Sequence, residues 1–224
     1  KIAQWKTAGL LTEPEQAFLL AAFVYAASYV SNTSGVFKAF HHGWGGDTGT
    51  ALYRILSKIK LNPPITYDNG LPNTVYQEDA QKLASQVDAD IAYVDPPYNQ
   101  HPYGSNYHLL NTIVLWDKPE IDRNIRIDGK VVNKSAIRTD WRKQQRSLYN
   151  YKATAEAAFR KLIHTLDTHF VLVSYSSEGI ISMERLVAIL ADRGVVSVIK
   201  QRYKRYRVSR QRYSSKPHSL EYVL

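Results

Sequence analysis

The hydrophobic pattern changes period along the chain. From Ala17 to Val30 almost every residue is apolar, behind Thr12 and Glu15 at capping-box spacing and Pro14 in the first turn. This predicts a helix over 12–30, buried all round. Between Gly35 and Gly49 five glycines, with His41, His42 and Trp44, break regularity. A short helical pattern follows over Ala51 to Ile59, and Asn62-Pro63-Pro64 ends it. From about residue 73 strands and helices alternate. Thr74 to Tyr76, Ile91 to Val94, Phe170 to Ser174, Val195 to Tyr206 and Ser219 to Val223 read as strands. Gln81 to Gln86, Asn106 to Trp116, Ala153 to Leu166 and Ser182 to Asp192 read as helices. The succession predicts an α/β fold: an open, mostly parallel sheet flanked by helices and ending in an antiparallel hairpin around Arg207 to Lys216.

Composition narrows the class. The chain has 224 residues, 44% apolar and 22% charged, an ordinary globular balance. It holds no cysteine, which excludes disulfide frameworks, thiolate zinc sites and cysteine nucleophiles and fits a reducing, cytoplasmic compartment. The longest apolar run, Ala17 to Ala27, falls short of the roughly 20 residues that cross a bilayer, so no membrane is expected. No leader with a cleavage site opens the chain. It begins at Lys1 and stops at Leu224 within a predicted strand, so a fragment of a longer protein is expected.

The net charge of +9 is unevenly placed. Residues 200–216 carry eight basic side chains and no acid: Lys200, Arg202, Lys204, Arg205, Arg207, Arg210, Arg212 and Lys216. Lys118 to Lys152 carries ten basic and four acidic residues, and the remainder is net −5. A mildly acidic body with two basic attachments is the layout of a nucleic-acid binder. Tyr203, Tyr206 and Tyr213 interleave the basic run, which favours phosphate contact over a solvated hairpin. Residues 117–152 form a long, basic, weakly patterned loop whose Trp141 and Tyr149 to Tyr151 either pack or read DNA.

The candidate chemistry lies after the strand from Ile91. In open α/β sheets ligands collect outside the carboxyl ends of strands, where Asp95-Pro96-Pro97-Tyr98 sits. Two prolines fix two φ angles and remove two donors. Asp95 and Pro96 then offer a carboxylate and a carbonyl on a stiff turn, acceptors suited to the two donors of an exocyclic amine. Tyr98 adds a flat face. The combination describes a pocket for an amino-bearing base.

The segment Tyr93 to Asn99, with Tyr103 and Asn106-Tyr107-His108-Leu109-Leu110, resembles the adenine-N6 DNA methyltransferases of the Dam-like group. Ser174-Tyr175-Ser176-Ser177-Glu178-Gly179, the ending Tyr203-Lys204-Arg205-Tyr206 and Tyr29 to Phe37 are similar to the family as well. The resemblance spans nearly the whole chain. It implies a methyltransferase-like sheet and methyl transfer from S-adenosylmethionine to N6 of an adenine flipped out of double-stranded DNA, in a restriction–modification system. Asp95, Pro96, Pro97 and Tyr98 would be catalytic. Asp79 and Asp95 would contact the cofactor, and Tyr107, His108, Ser174 and Tyr175 would line the substrate pocket. Lys200, Arg202, Lys204, Arg205, Arg207, Arg210 and Arg212 would bind DNA, and a cognate restriction endonuclease would be a partner. The implied organisation is a helical lead-in over 1–34, an inserted target-recognition segment over 35–72, and a catalytic α/β domain over 73–224 with the basic loop 117–152 and the basic hairpin 200–216.

The family's upstream Phe-x-Gly-x-Gly turn does not appear ahead of Asp79, and Gly43-Trp44-Gly45-Gly46 follows no strand and opens no helix. The cofactor half is expected upstream of Lys1. Two other readings stand beside the enzyme: a non-catalytic nucleic-acid-binding subunit, and transfer to another amino group, on an RNA base or cytosine N4. Asp79 serves equally well as a helix cap, and the Ser174 to Glu178 stretch as a plain strand-to-helix loop. No histidine has metal-ligand spacing, so neither a catalytic nor a structural metal is expected.

Overall fold

The structure is a computed structural model of the chain. It describes all residues except 34, 38–39, 42, 47–48, 50–51, 120–125, 132–137, 139–140, 142–145 and 205–217, and the backbone alone at 127, 131 and 204. Two compact units divide it: Lys1–Pro72 with Tyr103–Gln145, and Asn73–Pro102 with Arg146–Leu224.

In the first unit α1 (Ile2–Thr7) precedes α2 (Glu13–Tyr29). The Thr12 hydroxyl accepts the Glu15 N–H and the Glu15 carboxylate accepts the Thr12 N–H, so the predicted capping box starts α2. The expected burial of this helix is overturned: none of its residues is buried, and Tyr25 is 81% exposed. A helix apolar on every side has no stripe to direct at a core, and the described part of this unit offers too little apolar surface to enclose it. Short helices follow at α3 (Leu52–Ile55), α5 (Tyr103–Asn106) and α6 (His108–Leu115). Within the basic loop β2 (Arg126–Ile127) and β3 (Lys130–Val131) pair through Asp128 and Gly129, both at positive φ as a tight hairpin turn requires. Trp141 is buried with the Arg138 guanidinium 3.9 Å above its ring, so it packs rather than standing ready to read a base.

The second unit is built on a four-stranded sheet in the order β1-β4-β6-β5, formed by Ile91–Val94, Phe170–Ser176, His218–Val223 and Ile199–Lys204. Only β1 and β4 are parallel, with Ile91 opposite Phe170 and Val94 opposite Val173. The expected mostly parallel sheet is corrected to one parallel pair and two antiparallel ones. The physical reason is the final hairpin, which sends its return strand β6 back between β4 and β5. Thr74 to Tyr76 form no strand, since they find no ladder partner among the described residues and Val75 is 96% exposed.

Three helices complete this unit: α4 (Ala80–Leu83), α7 (Ala155–Thr165) and α8 (Met183–Ala191). In α7 the buried residues Ala155, Ala158, Phe159, Leu162 and Ile163 repeat at the spacing of one helix face. In α8, capped by the Ser182 hydroxyl, Leu186, Ile189 and Leu190 do the same. They join Val94 and Val173 from the strands and Tyr149, Ile181 and Leu224 in one core. Each large side chain so buried contributes about 1.5–3 kcal/mol. On the surface, the Arg185 guanidinium grips the Glu156 carboxylate, with Nε at 3.0 Å from Oε1, and ties α8 to α7.

Candidate active site

The Asp-Pro-Pro-Tyr turn leaves β1 where the sequence places it. Val94 is buried as the last strand residue, Pro96 is buried behind it, and Asp95 stands exposed. The turn is anchored on two sides. The Tyr98 carbonyl accepts the Ile180 N–H at 2.8 Å, and the Asn99 carbonyl accepts a hydrogen from the Asn150 side chain at 2.6 Å. Asn150 is only 4% exposed, so its amide is dedicated to this bond.

Tyr98 lies half in solvent with its ring edge-on to Tyr175, centroids 6.3 Å apart and planes at 74°. Tyr175 is 2% exposed, and its hydroxyl accepts the Ile181 N–H at 3.1 Å. Tyr175 therefore reaches the turn through Tyr98, from behind. Ser174 lies one residue earlier on β4, opposite Val223. Ser176, buried, faces Glu221 across the β4–β6 register.

Carboxylates concentrate on this side of the sheet. Burial pushes the Tyr98 hydroxyl above the ordinary tyrosine range, and the charges of Glu221, Glu178 and Asp95 push it further. Burial likewise raises Glu221, aided by Asp95 and Glu178 and opposed by the Ser176 hydrogen bond. The negative charge of Glu221, Glu178 and Asp95 makes a smaller contribution to these shifts, and such surroundings suit a group that carries or acquires positive charge. Sequence reasoning missed Glu221, Ser176 and Asn150. Ser176 lies within the Ser174 to Gly179 motif and Asn150 within Tyr149 to Tyr151, but only strand register and the 3₁₀ turn Leu148–Asn150 give them these partners.

Against the other flank of the turn lies a cavity of about 360 Å³, lined by Ala80, Leu83 and Ala84, by Asp95, Pro96 and Pro97, and by Tyr149 and Leu162. Tyr149 is buried, so it builds this wall instead of reading DNA. Gln81 donates to the Tyr149 hydroxyl at 3.1 Å and to the Ala158 carbonyl at 2.6 Å, which leaves its own buried Oε1 without a hydrogen-bond partner. Asp79 caps α4, its Oδ1 accepting the Gln81 N–H at 2.9 Å. The cap engages one of its two carboxylate oxygens. Apolar walls that end in exposed carboxylates fit a flat, cationic small molecule.

The remaining sequence candidates fall elsewhere. Tyr107 and His108 belong to the first unit, at the start of α6. His108 is 9% exposed, with Nε2–H donating to the Phe37 carbonyl at 3.0 Å. Burial lowers its pKa and the Arg138 charge lowers it further, against the Phe37 hydrogen bond, so it is held as a neutral packing residue. On β5 Lys200 and Arg202 are exposed, and an Arg202 guanidinium nitrogen lies 3.0 Å from His218 Nδ1. The Lys204 side chain and Arg205, Arg207, Arg210 and Arg212 lie outside the described residues.

The mixed α/β unit thus holds a stiff carboxylate–aromatic turn at the carboxyl end of a parallel strand. Residues 10–189 match the family described as D12 class N6 adenine-specific DNA methyltransferase, and the chain belongs to that family. It is 36% identical over 223 residues to the type II methyltransferase M.FokI of Planomicrobium okeanokoites, covering 98% of this chain and 31% of that protein. It is 34% identical over 209 residues to modification methylase StsI of Streptococcus sanguinis, covering 92% and 29%. With the type II methyltransferase M.NlaIII of Neisseria lactamica it shares 30% over 210 residues, covering 94% and 57%. The chain thus spans about a third of the first two relatives. No solved structure matches it.

Proposed function

We propose that the protein carrying this chain transfers a methyl group from S-adenosylmethionine to N6 of adenine in double-stranded DNA, as the modification enzyme of a restriction–modification system. Family membership and the names of the relatives support the reading. The observation that carries it is the anchored Asp95–Tyr98 turn, with two acceptors and an aromatic face held at the exit of β1. The cofactor supplies a methyl group already activated on a sulfonium, so the chain need provide no nucleophile.

Asp95 and the Pro96 carbonyl accept the two hydrogens of the adenine amine, orient its lone pair and offset the positive charge that gathers on nitrogen as the new bond forms. Tyr98 stacks on the flipped base, worth roughly 1–3 kcal/mol. Flipping itself costs on the order of a few kcal/mol, so the stack offsets part of it. Asp95, in the lining of the apolar cavity, and Asp79, which caps the helix whose Ala80, Leu83 and Ala84 form one of its walls, are the residues to hold the cofactor's polar ends. Ser174 and Tyr175 support the turn from β4. Lys200, Arg202 and the basic run beyond them hold phosphates, residues 35–72 read the target sequence, and the cognate endonuclease acts on the same sequence.

Incubation of the protein with labelled S-adenosylmethionine and unmethylated duplex DNA, followed by hydrolysis and chromatography of the bases, tests the reading. Label is expected in N6-methyladenine. Label in cytosine, transfer to RNA alone, or DNA binding without transfer would each contradict it.

A further inference from the structure

Tyr175 and Gly179 stand close to the turn yet touch no part of it that bears an acceptor. Ile180 and Ile181 nonetheless clamp the Tyr98 backbone and the Tyr175 ring. The Ile180 N–H is donated to the Tyr98 carbonyl at 2.8 Å, and the Ile181 N–H to the Tyr175 hydroxyl at 3.1 Å. The residue just before this clamp is Gly179, whose own N–H closes the turn on the Ser176 carbonyl at 2.9 Å. A Cβ built on Gly179 would lie 2.0 Å from Tyr175 Cε1, 2.7 Å from Cζ and 2.9 Å from the Ser176 carbonyl oxygen. No real side chain survives such contacts. Gly179 is not at positive φ, so the glycine is demanded by its neighbours, chiefly the Tyr175 ring and also the Ser176 carbonyl, and not by its own conformation.

The Tyr175 ring in turn has little freedom. It is 2% exposed, tethered by its hydroxyl, and set edge-on against Tyr98. The space vacated by the missing Cβ therefore fixes where Tyr175 lies, and Tyr175 fixes where the exposed face of Tyr98 points. Two prolines stiffen the backbone before Tyr98 and two hydrogen bonds pin its own carbonyl and the next, so the ring contact sets what freedom remains, the tilt of its face.

We propose that Gly179 and Tyr175 are positioning residues for methyl transfer, acting through the stacking face of Tyr98 and touching neither substrate. The inference rests on the reading of Tyr98 as the partner of the flipped base. A displacement near 1 Å at such a face costs roughly 100-fold in rate.

Gly179→Ala, Tyr175→Ala and the double variant, made in the protein that carries this chain, form the test. Gly179→Ala is expected to lower kcat roughly 100-fold while KM for DNA stays within about threefold. In the Tyr175→Ala background the same change should cost about tenfold less, because the clash with the ring is gone and only the approach to the Ser176 carbonyl remains. Equal losses in both backgrounds would overturn the inference.

Fluorescence of 2-aminopurine at the target position gives a readout that general loosening does not mimic. It should brighten in Gly179→Ala, as it should in Tyr98→Ala, and an unchanged signal in Gly179→Ala would also overturn the proposal. Should the wild type transfer no methyl, the functional reading fails on its own, and hydrogen exchange at the Ile180 amide judges the clamp. Faster exchange in Gly179→Ala upholds the clamp, and unchanged exchange rejects it.

Discussion

α2 of the first unit and α7 of the second make an instructive pair. The first has 17 residues, apolar on almost every side, and buries none of them. The second has 11 residues, charged on one face, and buries five, with Phe159 and Ile163 fully enclosed. Apolar content alone does not place a helix in a core. A stripe does, because it tells the helix which way to face and gives the sheet one surface to meet. The same contrast runs through both units. The connected core lies entirely in the second, which holds the Asp95 turn. Among the described residues, burial in the first is confined to a few sites such as Phe37, His108 and Trp141.

The largest expected effect breaks that contrast directly. Phe159→Ala should destabilise the second unit by about 3–5 kcal/mol, whereas Phe18→Ala, on a 40% exposed position of α2, should cost about 1 kcal/mol or less. Denaturant midpoints measure both, and comparable losses would mean that α2 is held in a core no less firmly than α7. Next comes Tyr98→Ala, which removes a stack of roughly 1–3 kcal/mol and so should lower kcat/KM about 5- to 150-fold without changing the midpoint by more than about 1 kcal/mol.

A smaller effect separates the units by pH. His108 is shifted below its ordinary value of 6.5, first by burial. The unfolded chain therefore takes up the proton more readily, so stability is full above that value and lost as pH falls from it toward the folded one. Urea midpoints of the first unit should drop between about pH 7.5 and 5, and His108→Gln should flatten the change. An unaltered profile in the variant would remove His108 as its source.

Local chemistry made much of this legible. The Thr12–Glu15 box, the helix that begins at Ser182 and the Ile91 to Val94 strand each depend on neighbours a few residues away, and each lies where the residues predict. Asp128-Gly129 is as strong a hairpin signal, but the charged residues around it hide the alternation that would have exposed β2 and β3. Long-range pairing was not legible. Thr74 to Tyr76 have strand character without a partner among the described residues. The placing of β6 between β4 and β5 reverses the expected sheet direction, and it also brings Glu221 to Ser176 and the turn. The Asp95 to Tyr98 site was readable because its stiffness is covalent. Its anchors, Asn150 and Ile180, were not, because only the folded chain brings them there.

The account stands most directly on the carboxylate of Asp95. Single-turnover methyl transfer by Asp95→Ala, measured on saturating duplex DNA and cofactor, should be slower than wild type by roughly 100-fold or more, with the affinity for DNA within about threefold. A rate within about threefold of wild type would contradict the account, because the amine would then need no acceptor at the exit of β1.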